Sequence, residues 1–80
     1  MTDHDALKAL VAGMSEYLGI SGYGAQAECF RLLACCLTTD EHTTVPNTIR
    51  GWFHGSRPVP RYLGTYFRVV LVQLSELNKE

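Results

Sequence analysis

The sequence predicts an all-α fold, a compact bundle of four to five helices forming one domain over residues 1–80. Three observations predict it. Apolar residues recur at intervals of three and four along most of the chain, the spacing that lines one side of a helix. Glycines, prolines and a threonine-rich stretch cut that pattern into four segments, as helix breakers do. An 80-residue chain has room for a single hydrophobic core, and a hydrophobic content of 46% is ordinary for one. No repeat, low-complexity tract or long linker divides it.

The first helix opens after Thr2 or Asp3 as N-cap and places Leu7, Leu10, Val11, Met14 and Leu18 on one stripe, with Asp5, Lys8, Ala12 and Glu16 opposite. Gly19 and the pair Gly22 and Gly24 end it and make a turn. The second helix covers residues 24–37 and is expected to turn Ala27, Phe30, Leu33, Ala34 and Leu37 inward, with Glu28, Arg31 and Cys35 away from that face. Residues 38–44, rich in threonine and carrying Asp40, Glu41 and His42, read as a polar loop with its acids toward water.

The third helix is short, from residue 45 or 46 to His54. Thr44 is available as cap, Pro46 fits the first turn, and Gly55 is the stop. At 100° per residue, Trp52 and Phe53 fall within about 60° of Ile49, which makes this the buried side. Asn47, Arg50, Gly51 and His54 fall together on the other side, between about 100° and 200°. After a rigid connection through Pro58 and Pro60, a fourth helix covers residues 61–77. Its main stripe is Leu63, Tyr66, Phe67, Val70, Leu74 and Leu77. Tyr62, Val69 and Val72 form a second apolar side, more than a lone four-helix fold needs to bury, so a homodimer contact is expected there. Centrality of the helix in the core is the other explanation.

The longest strongly apolar stretch, residues 69–74, is far short of the roughly 20 residues of a membrane span. The segment Met1-Thr2-Asp3-His4-Asp5 carries acid where an export signal carries base. Three cysteines, Cys29, Cys35 and Cys36, make an odd and clustered count that suits reduced thiols. A cytoplasmic address without a membrane is expected. A metal site would have to recruit His42, and adjacent helical cysteines point about 100° apart, so no metal is assigned. The net charge is −1, unevenly spread. Residues 1–41 hold Asp3, Asp5, Glu16, Glu28, Asp40 and Glu41 against Lys8 and Arg31, whereas residues 42–75 hold Arg50, Arg57, Arg61 and Arg68 and no acid. Such a region attracts anions whatever the total, unless its arginines answer the acidic half within the fold.

The run Thr48-Ile49-Arg50-Gly51-Trp52-Phe53-His54-Gly55-Ser56-Arg57-Pro58-Val59-Pro60 resembles the recognition helix and following loop of Cro/CI-type (XRE-like) helix-turn-helix regulators, with the match confined to residues 45–61. A Thr-Ile, a Trp, a Gly and an Arg-x-x-Pro recur there in this order. The resemblance implies that Asn47 and Arg50 read base edges in the major groove, where Asn pairs with adenine and Arg with guanine. It implies that Arg57 and Arg61 hold phosphates, that Thr48 and His54 touch backbone or base edges, and that Gly51 lets the groove wall approach, although a glycine inside a helix serves close packing equally well. Where the family has a small residue and a glycine turn, ten and six positions before the buried Ile, this chain has Thr39 and Thr43. The implied motif is therefore a divergent helix-turn-helix with its turn extended into residues 38–44; otherwise the third helix is a surface element of another helical fold.

The leading expectation is a sequence-specific transcriptional regulator of double-stranded DNA, a repressor of the small kind found on phages and mobile elements. The alternative is a helical interaction module or inhibitor that docks on a partner protein. An enzyme is the weakest reading and no cofactor is expected: His4, His42 and His54 stand in unrelated contexts, and no nucleophile, paired carboxylate or phosphate-cradling loop has readable spacing.

Overall fold

The computed structural model describes residues 2–22 and 24–79; Met1, the first residue of the acidic N-terminal segment, lies outside them. Four helices and no strand occur among the described residues: α1 (Asp3–Leu18), α2 (Ala25–Leu37), α3 (Pro46–His54) and α4 (Arg61–Asn78). None is long and apolar enough to cross a membrane.

Local chemistry explains the ends. Thr2 caps α1 through a reciprocal pair in which the Asp5 N–H donates to Thr2 Oγ1 (3.1 Å) and the Thr2 N–H donates to the Asp5 carboxylate (3.3 Å). That backbone bond, with the Thr2 hydroxyl second, holds the Asp5 carboxyl below its ordinary range. Gly19 and Gly55 close α1 and α3 at φ of 68° and 83°, a region costly for any residue with a Cβ. Thr44 does not cap α3. Val45 holds that position with no side-chain hydrogen bond, and Pro46 at the start of the helix brings no N–H that needs one. Thr44 is instead buried, its hydroxyl aimed at the Leu37 carbonyl (3.5 Å).

The hub is α1, which packs on all three other helices and most extensively on α4, while α2 and α3 pack on each other. Ala6, Leu7, Leu10 and Val11 meet Cys29, Phe30, Leu33 and Ala34 of α2, Ile49 and Trp52 of α3, and Leu63, Phe67 and Leu74 of α4 in one core. Four positions expected inside lie outside: Leu18, Ala27, Tyr66 and Leu77 are exposed. Leu18 and Leu77 sit in terminal turns that run past their neighbours. Ala27 gives way to Cys29, because α1 lies on that side of α2 and brings Val11 O and Ser15 Oγ to 3.7 and 3.4 Å from the Cys29 sulfur. Cys35 and Cys36 are exposed.

No close helix–helix packing joins α4 to α2 or α3 among the described residues. One long side of α4 therefore faces outward, leaving Tyr62, Val69 and Val72 72%, 52% and 63% exposed. The α1–α4 seam is close. A Cβ on Gly13 would stand 2.9 Å from Leu74 Cδ2, and one on Gly64 would collide with the Asp3 carboxylate.

Candidate nucleic-acid interface

Helix α3 is anchored from behind. Ile49 is fully buried and Trp52 is 7% exposed, while the half-buried Phe53 ring meets Phe30 edge-on at 5.3 Å. Two residues of α1 grip the same end of α3: the His4 ring nitrogen Nε2 donates to the Phe53 carbonyl (2.7 Å), and the Lys8 ammonium lies 5.9 Å from the Phe53 ring centre. The first bond satisfies a carbonyl that the helix end leaves without an intrahelical partner. His4 carried no signal in the sequence, because its partner is 49 residues away.

The opposite side of α3 is open. Asn47, Arg50 and His54 are exposed there, and Gly51 is half-buried between them. What half-covers Gly51 is Arg57. The Arg57 N–H donates to the Gly51 carbonyl (3.2 Å), and its Cβ, Cγ and Cδ lie 3.2–3.7 Å from where a Gly51 Cβ would stand. Of the two expectations for Gly51, close packing is the one the contacts display. Its bare flank carries the Arg57 stem, and this seats a guanidinium from the following loop beside the helix.

Thr48 separates from this group. It lies half-buried on the flank of α3, lining a concavity of about 340 Å³ with Leu37, Thr44, Trp52, Tyr62 and Leu63. Arg61 is exposed in the first turn of α4, next to Tyr62 on the rim of that concavity. Arg50 and His54 share a second, more open concavity, about 450 Å³, with Gly22, Gly24, Gln26, Ala27 and Phe30. In the sequence those glycines read only as a turn. They open α2 at Gly24, whose φ is 94° and which offers no side-chain cap to the first N–H groups of the helix.

The four arginines divide. Arg68 binds Asp3 at 2.8 Å and so answers the acidic half of the chain. Arg50, Arg57 and Arg61 have no carboxylate partner among the described residues. Arg31 pairs with Glu28 on α2, which lowers the Glu28 carboxyl and raises the guanidinium. No group of three His, Cys, Asp or Glu side chains among the described residues is placed to hold a metal ion.

No family model, curated protein or solved structure matches the chain. A functional reading therefore rests on the geometry of α3 and its surroundings.

Proposed function

We propose that the chain is a sequence-specific DNA-binding regulator, a repressor, that lays the outward face of α3 in the major groove. One observation carries this reading. A short helix, anchored by Ile49 and Trp52, presents Asn47, Arg50 and His54 on a single exposed face, and three guanidinium groups around it, those of Arg50, Arg57 and Arg61, lack carboxylate partners among the described residues. Nine residues of helix are about 13 Å long, which suits a groove about 12 Å wide.

In this reading Asn47 and Arg50 meet base edges and set sequence preference. Arg57 and Arg61 hold phosphates and set register, Thr48 and His54 make flanking contacts, and the uncapped start of α2 beside Arg50 favours a further phosphate. Two phosphate-neutralising arginines, Arg57 and Arg61, give a logarithmic salt slope of about 2 per copy, a modest affinity for one chain alone.

Selection of bound sites from a random duplex pool, followed by mobility shift over a salt series, tests this. An enriched site is expected. Arg50→Ala should flatten base preference by roughly tenfold or more, while Arg57→Ala should weaken all duplexes alike and reduce the salt slope by about 1. Absence of enrichment, with no salt-dependent binding to any duplex, overturns the proposal.

The near-neutral total of −1 favours a second reading, in which Arg50, His54 and Arg57 dock on an acidic protein surface. It predicts no enriched DNA site and a shallower salt dependence.

A further inference from the structure

We infer that a second copy of this chain covers the outward side of α4, the two α4 helices lying antiparallel about a two-fold axis at Val69. This rests on α4 and not on what α3 binds, although Arg61 is shared with the phosphate role proposed above. It starts from a packing fact: among the described residues α4 packs closely along its length on α1 alone, while Tyr62 and Leu63 in its first turn also line the concavity shared with Leu37 and Trp52. Its opposite side carries Tyr62, Tyr66, Val69 and Val72, between 36% and 72% exposed. Steps of 100° put all four within about 60° of the Val69 direction, and Thr65, Gln73 and Glu76 fall in the same sector. From residue 62 to residue 75 that sector bears no charge. The stripe is about 21 Å long.

The occupant follows from how charge is placed at the two ends. Arg61 flanks the stripe at the N-terminal end of α4 and has no carboxylate partner among the described residues. Glu76 closes it at the other end, where its one salt-bridge partner among the described residues is Lys79 at 3.4 Å, with both side chains at least 70% exposed. A two-fold interface must be complementary to itself. In a parallel pair Arg61 would face Arg61 and Glu76 would face Glu76, so both ends would repel. In an antiparallel pair centred on Val69, each Arg61 lies level with residue 77 of the other helix, one step from its Glu76. The helix dipoles then also oppose favourably. Between the two ion pairs, Tyr66 meets Val72, and Val69 meets its own copy on the axis. A single helix pair buries less than a standard interface, so the dissociation constant should be roughly micromolar.

Sedimentation equilibrium of the 80-residue chain without DNA, from about 0.1 μM to about 100 μM, tests this, a span chosen to bracket micromolar association. The expected result is a monomer–dimer equilibrium. Val69→Lys, at an exposed position, should raise the dissociation constant at least tenfold with the far-ultraviolet circular dichroism unchanged. Glu76→Arg alone should weaken the dimer several-fold, and adding Arg61→Glu should restore it, since only the antiparallel arrangement couples those two positions. A monomer throughout the range overturns the inference, as does a dimer indifferent to Val69→Lys. A dimer that Val69→Lys breaks but the charge exchange does not rescue overturns the antiparallel geometry.

Discussion

Along the α1–α4 seam, polar side chains are tied to one another or to backbone. Arg68 holds Asp3, whose carboxylate lies against Gly64, and Asn78 Nδ2 donates to the Gly13 carbonyl at 3.3 Å. Across α2 and α3 the inner contacts are as apolar, but Asn47, Arg50 and His54 face outward and Arg50 has no carboxylate partner among the described residues. The two regions differ in what their charges do. On the seam they help hold helices together; on α3 the fold leaves them available for a partner. If that division is right, substitutions of outward α3 side chains leave stability nearly untouched, and substitutions behind α3 or on the seam do not.

The largest effect should come from the anchor. Trp52→Ala removes a side chain that is 93% inside and belongs to the one core with Leu33, Ile49 and Leu63, so chemical denaturation should show a loss of roughly 3–5 kcal/mol. The loop that positions α3 comes next. Thr38 Oγ1 accepts from the Thr44 N–H (3.1 Å) and donates its single proton to Ala34 O (2.7 Å) or Thr44 O (3.1 Å). Thr38→Val keeps the shape and deletes these bonds at a cost of about 1 kcal/mol. The Thr44 amide should then exchange its hydrogen faster than in the parent chain, and an unchanged exchange rate would show that the loop is held by packing alone.

Sequence periodicity and punctuation placed all four helices within a residue or two of their ends, because Gly19, Gly55 and Pro46 act locally. It also placed Ile49 and Trp52 inside and Asn47, Arg50 and His54 outside, since a nine-residue amphipathic helix has only one way to face a core. What escaped it depends on contacts distant in sequence. Cys29 replaces Ala27 in the core because of where α1 lies, and Thr44 turns to Leu37 instead of capping α3. Tyr66 is exposed because α4 has one neighbour where the apolar stripe alone suggested more. The pairing of Arg68 with Asp3 joins residues 65 apart and removes one of four arginines from the basic region; no local pattern marks which one.

Smaller effects test the division between the regions directly. Arg68→Ala should lower stability by up to about 1 kcal/mol, the usual ceiling for a partly exposed ion pair, because the two side chains are 43% and 29% exposed. Arg50→Ala should stay within about 0.5 kcal/mol of the parent, as a surface change away from packing does. Equal losses for the two would mean that the α3 arginine is also part of the scaffold.

Gly64→Ala should have the smallest net effect and the most specific signature. An added methyl group takes the place of the Asp3 carboxylate, which must swing away from Arg68. That forfeits an ion pair worth up to about 1 kcal/mol. Against it, alanine in a helix interior is favoured over glycine by about 0.5–1 kcal/mol. The two terms nearly cancel, so the melting temperature alone says little. The double variant decides: once Gly64→Ala has displaced Asp3, Arg68→Ala should cost less than it does in the parent, and that difference should appear as coupling in the double-mutant cycle. Simple additivity would show that Asp3 and Arg68 do not depend on the bare flank of Gly64, and that the seam is held by its apolar contacts alone.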